Sequence, residues 1–230
     1  MQTNSIMDPL LKQSPSQTEK IPLHILIADD HAIVRIGLKI MIRHIYSGIN
    51  IEEAVDGNSV IQKLKSGTFD LLILDINMPR TESFSLTGYL LKEFPALKIL
   101  VFTINQELLF AKRFLKLGAH GYMTKKSGEP EIRQAIQKIL EGQIYVSDLL
   151  SEIISNDLIN HKEDNPFEQL SDREFEVVLQ ILKGYTVSEI AETLHVNRST
   201  VGTHKSRILN KLGLSNTLEL HSVAKKHNIL

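Results

Sequence analysis

The sequence predicts an α/β fold: a five-stranded parallel sheet, doubly wound by helices, followed by a small all-α domain of four helices. Three observations carry this. Five short apolar runs alternate with longer amphipathic stretches over the first 140 residues, and the third run, DLLIL, is continuously apolar from Leu71 to Leu74, as expected of a central parallel strand. Beyond residue 142 the strand signals give way to helical ones. Parallel neighbours need crossover connections, and right-handed crossovers lay those helices against the sheet.

The runs are HILIA (24–28), IEEAV (51–55), DLLIL (70–74), KILVF (98–102) and GYM (121–123). Between the first two, VRIGLKIMIRHI sets Val34, Leu38, Met41 and Ile45 at helical spacing. The stretch from residue 147 starts as an amphipathic helix and breaks into charged chain around His161 to Pro166, which reads as a linker. LSDREFEVVLQILKG then carries a capping box, Ser171 with Glu174, and stops at Gly184. TVSEIAETLHV, NRSTVGTHKSRILNKLG and SNTLELHSVAKKHNI supply three further helices, with Asn197 at an N-cap position and Gly213 at a helix end. The expected division is a disordered tail over 1–20, an α/β domain over 21–142, a linker with a helix over 143–167 and a helical domain over 168–230.

A length of 230 residues suits two ordinary domains. The absence of cysteine excludes disulfides, thiolate zinc sites and cysteine nucleophiles, and fits a reducing cytoplasm. The first twenty residues have no basic start followed by an apolar core, so no signal peptide is expected. No apolar run approaches the roughly 20 residues that cross a bilayer, so no membrane partner is expected either. The net charge of −1 excludes a uniformly basic nucleic-acid coat and makes local charge the informative quantity.

Acids mark the strand ends. Asp29 and Asp30 follow the first strand and Asp75 the third. With strand order 2-1-3-4-5 these ends are neighbours at the carboxyl edge, where open α/β sheets bind ligands. Carboxylates about 4 Å apart repel by about 4 kcal/mol at an effective dielectric of about 20, a penalty that a hard divalent cation removes. Oxygen donors favour Mg²⁺, which keeps room for waters and a phosphate oxygen. Thr103 ends the fourth strand and Lys125 the fifth, a hydroxyl and a point charge suited to phosphoryl oxygens.

In IADDH, LDINMP, VFT and GAHGYMTKK the first 140 residues resemble the receiver domain of bacterial two-component response regulators. The resemblance implies the flavodoxin-like strand order and a phosphoryl group accepted by Asp75 from a sensor histidine kinase. It also implies Mg²⁺ held by Asp29, Asp30, Asp75 and the backbone carbonyl of Asn77, and an acyl phosphate bound by Thr103 and Lys125. Tyr122 matches the aromatic that changes rotamer with Thr103. The loop after Pro79 departs from the pattern, since RTESFSLTG has no glycine before Gly88. A haloacid-dehalogenase-type phosphatase would also use a strand-end Asp, Mg²⁺ and a later Lys, but needs a second acid where Asn77 stands. An enzyme is therefore not expected. A receiver-like regulator that works without phosphorylation is the other alternative.

In the helical half, an apolar support helix with Ile190, Ala191 and Leu194 precedes a tight turn and a helix carrying Val201, Ile208 and Leu212 inward. From Arg198 to Lys211 there are four Arg or Lys residues and no acid, as in a recognition helix entering a major groove. Residues 168–228 resemble the LuxR-type helix-turn-helix, so the whole chain is similar to a NarL/FixJ-type response regulator. That implies DNA contacts by Arg198, Ser199, Thr200, Thr203, Lys205, Arg207 and Lys211, and a homodimer joined through the last helix. Gly202 and Ser206 stand where the family often has long polar side chains.

Overall fold

A computed structural model describes residues 23–104, 108–148, 150–152, 165–227 and 229. The tail expected over 1–20 and the charged stretch from His161 to Asp164 lie outside them. The five expected runs form β1 (His24–Ala28), β2 (Asn50–Ala54), β3 (Leu71–Leu74), β4 (Lys98–Thr103) and β5 (Gly121–Thr124), each within one residue of its expected bounds. All pair in parallel, in the order expected, but a sixth strand, β6 (Tyr145–Val146), continues the sheet to give 2-1-3-4-5-6. The sheet therefore has six strands, and the stretch expected as linker from residue 143 begins inside it. Two residues are too few to show a period, which is why the run escapes a reading by pattern. What admits β6 is Gly121, where a Cβ would come within 2.8 Å of Ile139 Cδ1 and 3.1 Å of the Tyr145 carbonyl oxygen.

Helices α1 (Ala32–Ile45), α2 (Gly57–Ser66), α3 (Ser83–Glu93), α4 (Leu108–Leu117) and α5 (Glu129–Leu140) supply the crossovers. Because side chains alternate along a strand, β3 feeds both faces. Leu71 and Ile73 join Leu38, Ile42, Ile132 and Ile136 of α1 and α5, whereas Leu72 and Leu74 join Val60, Leu64, Leu86 and Leu90 of α2 and α3. Every residue of β3 is buried, so the carboxylate that follows is presented from a fully buried strand. On α1, Leu38 and Ile42 are buried, while Ile33, Ile36 and Ile40 form an exposed apolar stripe.

A 3₁₀ turn (Pro166–Gln169) leads into α6 (Asp172–Leu182), α7 (Val187–Thr193), α8 (Arg198–Leu212) and α9 (Thr217–Lys226). Ser171 and Glu174 form the expected capping box, Thr186 and Glu189 a second, and Gly213 ends α8 at φ 66°. Asn197 occupies the expected position before α8 but makes no side-chain capping bond.

The helical unit docks on α3 and α4 through α6. Phe175 meets Phe84 and Phe110 edge-on at 5.9 and 5.3 Å, and Phe84 stacks on Phe114 at 4.3 Å. Arg113 of α4 donates to Asp172 (2.6 Å) and to the carbonyls of Phe167 (2.8 Å) and Leu170 (2.7 Å), with its guanidinium over Phe175. The buried Glu176 carboxylate accepts from Phe84 N–H and Ser85 Oγ, both at 3.2 Å. Arg173 pairs with Glu82 and donates to the Leu194 carbonyl.

Burial, and then the neighbouring Glu82, push the Glu176 carboxyl from 4.5 up to about 7, against the pull of Ser85, Arg173 and Phe84 N–H. A carboxyl whose folded pKa is raised binds its proton better in the folded state, so it favours folding at low pH. That contribution is fully present below about 4.5 and is lost as pH rises through about 7. The size is on the order of 3 kcal/mol. Glu176→Gln is expected to flatten the fall in thermal stability between about pH 5 and pH 7; an unchanged pH slope in calorimetry would show that Glu176 is not desolvated.

Candidate functional site

The site is set by strand register. Ala28 of β1 stands beside Leu74 of β3, so Asp29 and Asp75 leave the sheet together. Asp75 N–H donates to the Ala28 carbonyl (2.8 Å) and Asp29 N–H to the Ala54 carbonyl (3.2 Å), which fixes both residues at the carboxyl edge. Thr103 of β4 stands beside Thr124 of β5, and Lys125 N–H donates to the Thr103 carbonyl at 2.8 Å. Five residues expected from the sequence, Asp29, Asp30, Asp75, Thr103 and Lys125, thus come to one edge.

Asp29 and Asp75 are each only 1% exposed. The Lys125 ammonium lies between them, 2.6 Å from Asp29 Oδ2 and 2.8 Å from Asp75 Oδ2. Burial pushes the Asp75 carboxyl above the usual range, and the Lys125 and Asn77 hydrogen bonds only partly oppose it. Burial would lower the Lys125 ammonium, but its bonds to Asp29 and Asp75 more than reverse this and raise it. Asn77 N–H donates to Asp75 Oδ1 (3.1 Å), while its side-chain amide donates to the buried Thr103 hydroxyl (2.9 Å). Tyr122 is buried among Val101, Phe110 and Phe114.

His31 was not among the residues singled out, although it adjoins the acid pair in IADDH. Its Nδ1 lies 2.9 Å from Asp30 Oδ1 and 3.2 Å from Asp29 Oδ1. One ligand atom from each of Asp29, Asp30, His31 and Asp75 falls within 4.8 Å of the others, close enough to share one metal ion. Three of the four are carboxylates, a donor set suited to a hard divalent cation.

The loop after Pro79 closes without glycine. Arg80 takes φ 52°, a left-handed conformation that costs a non-glycine residue roughly 1–2 kcal/mol. Side chains hold it there: Thr81 Oγ1 accepts from Gly57 N–H and donates to the Pro79 carbonyl, and Ser83 Oγ donates to the Ile76 carbonyl. Glu82, Phe84 and Ser85, next in sequence, are the residues that grip α6.

A second candidate surface lies on α8. Arg198, Ser199, Thr203 and Arg207 are exposed, and Thr200 and Lys205 half-buried, whereas Val201 and Ile208 face the core. Lys211 is not available in the same way, because its ammonium bonds the buried Glu174 carboxylate at 2.7 Å and the Gln169 carbonyl at 3.4 Å. A Cβ on Gly202 would meet nothing within 4 Å, so this position presents a gap where a longer side chain would project.

Residues 25–137 match the family described as response regulator receiver domain, and residues 168–224 that of bacterial regulatory proteins, luxR family. The chain is 34% identical over 215 residues to the oxygen regulatory protein NreC of Staphylococcus haemolyticus, covering 90% of this chain and 99% of that one. NreC of Staphylococcus epidermidis is 35% identical over 216 residues, with the same coverage. Among solved structures, the Salmonella typhimurium RcsB response regulator superposes with a TM-score of 0.74 at 25% identity, over 90% of this chain and 98% of that one. RcsB bound to promoter rprA in the presence of the phosphomimetic BeF₃⁻ gives 0.71 at 26% identity, over 88% and 98%.

Since Glu174 is buried and Lys211 is its cation, Lys211→Met should destabilise the helical unit by roughly 1–2 kcal/mol. Chemical denaturation reads this directly, and an unmoved midpoint would leave Lys211 free for another role.

Proposed function

The chain belongs to the response regulators built from a receiver domain and a LuxR-type DNA-binding domain, and from that premise we propose that phosphorylation of Asp75 controls its binding to DNA. The observation that carries this is the buried Asp75 carboxylate at the end of β3, within 2.8 Å of Lys125 and beside Asp29. In the reaction an Asp75 oxygen attacks the phosphorus of a phosphohistidine on a sensor kinase. The P–N bond breaks as the O–P bond forms, and the imidazole leaves. Asp29, Asp30 and Asp75, whose carboxylates lie together with His31 at their rim, would be oxygen donors for Mg²⁺, and the Asn77 carbonyl would add a further one. Bound there, the metal supplies charge neutralisation for the transferred group.

The protein's own residues do the rest. Lys125 pairs with a phosphoryl oxygen, and Thr103 exchanges its bond from the Asn77 amide for one to the phosphoryl group. That movement opens space toward which Tyr122 can turn. The exposed stripe Ile33, Ile36 and Ile40, on the helix that starts just after His31, offers a protein partner an apolar footing beside the site. The receiver then spans 21–142 with the added edge strand β6, the DNA-binding domain spans 168–230, and the chain works in the cytoplasm.

DNA recognition falls to α8, with Arg198, Ser199, Thr200, Thr203, Lys205 and Arg207 as contacts. Lys211, committed to Glu174, ranks behind them. Two copies would join through α9, where Leu218 is 79% exposed. RcsB has been captured as dimers on DNA, and the same arrangement suits this chain.

Two experiments test the reading. Acetyl phosphate with Mg²⁺ should add one phosphoryl group by intact mass, and Asp75→Ala should abolish it; label persisting in the variant would refute the assignment. Arg207→Ala should weaken binding to all DNA fragments alike and reduce the slope of log K against log salt by about one. If Lys205→Ala and Arg207→Ala together leave binding unchanged, α8 does not read DNA.

A further inference from the structure

His31 stands at the N-cap of α1, a position where Ser, Thr, Asp or Asn usually bonds the first turn of a helix. Its side chain makes no such bond. The ring turns back to the acids instead, with Nδ1 2.9 Å from Asp30 Oδ1 and 3.2 Å from Asp29 Oδ1, while the His31 backbone N–H donates to that same Asp29 oxygen at 2.8 Å. Lys125 approaches Asp29 through the other oxygen, Oδ2, so ammonium and imidazole do not compete for one atom. The imidazole is 61% exposed, whereas Asp29 and Asp75 are buried. The cluster is therefore closed on the sheet side and open to a hydrated ion on the side of His31.

These spacings are those of neighbouring ligands on one ion. Two adjacent donors of an octahedral cation, each bonded at about 2.1 Å, stand about 3.0 Å apart. One donor atom from each of Asp29, Asp30, His31 and Asp75 lies within 4.8 Å of the others. Within the cluster, Asp29 Oδ2 meets the Lys125 ammonium as a charge contact at 2.6 Å but without hydrogen-bond alignment, which leaves a lone pair of a buried carboxylate unused. Carboxylate oxygens serve Mg²⁺ and Mn²⁺ alike, but an imidazole nitrogen binds transition-metal ions far better than it binds Mg²⁺. We infer that His31 is a nitrogen ligand in this site and gives it a preference for Mn²⁺ over Mg²⁺. The oxygen donors hold either cation, and the imidazole decides which is kept when both are present.

The inference rests on the reading of this edge as a metal site, and the test separates the two. In the full chain, free Mn²⁺ is followed by its EPR signal, and Mg²⁺ by its displacement of bound Mn²⁺. Pulsed EPR of the bound Mn²⁺ should show the hyperfine coupling of a directly bonded nitrogen, and His31→Ala should abolish it. The same variant should raise the Kd for Mn²⁺ roughly tenfold and that for Mg²⁺ less than about twofold. His31→Asp, which replaces the nitrogen by oxygen, should bind both cations without the coupling and without the preference. Mn²⁺ that binds the wild-type chain with no nitrogen coupling overturns the inference alone. So does a coupling that persists in His31→Ala, or an equal loss of affinity for the two cations in that variant. A wild-type chain that binds neither cation overturns the metal reading and the inference with it.

Discussion

The ammonium of Lys125 is the interaction on which the site depends. Asp29 and Asp75 come from adjacent strands and are shielded from water, so their repulsion is not screened by solvent. At an effective dielectric of about 20, two charges about 4 Å apart cost about 4 kcal/mol. Lys125 offsets this by touching both, and it reaches them only because β5 pairs with β4 so that Thr124 stands beside Thr103. A slip of one residue in any of the pairings would turn the side chains to opposite faces and scatter the site. The apolar character of β1, β3 and β4 therefore stabilises the sheet and fixes a charge arrangement at its edge.

From that edge the structure passes into the loop that departs from the family pattern. Without glycine, the turn at Arg80 is held by side-chain bonds from Thr81 and Ser83. The residues immediately following, Glu82, Phe84 and Ser85, bind Arg173 and Glu176 of α6. The departure is a contact surface: seven to ten residues of pinned chain join Asp75 to the residues that touch a helix of the DNA-binding domain. Packed interfaces of this kind tend to respond as discrete states, which suits a switch.

How much of this was legible in the sequence differs by level. Strand ends, helix ends and the acids between them could be read, because a buried strand demands a continuous apolar run and capping demands Ser171, Glu174 and Gly213 at fixed places. β6 could not, being two residues long and made possible by an absent side chain at Gly121. Lys211 looked like one more cation on a basic helix, since Glu174 lies far from it in sequence and only folding brings the two within 2.7 Å. The same distance in sequence hid the grip of Arg113 on Asp172 and the burial of Glu176. Helical spacing gives Glu176 as part of α6 but carries no sign that α3 covers it.

The docked arrangement also limits how control can work. Arg198, Ser199, Thr203 and Arg207 remain exposed while α6 is held against α3 and α4. Docking therefore does not act by covering the side chains that would meet DNA. What it does fix is the direction in which α8 and α9 are presented relative to the receiver. A helix-turn-helix dimer must place its two recognition helices about one helical turn of DNA apart, so the affinity of a pair depends steeply on that direction. A receiver that grips α6 through Phe84, Ser85 and Arg113 therefore bears on which pairs can form. In this docked arrangement the α8 surface is open, so what the receiver can set is the geometry between copies.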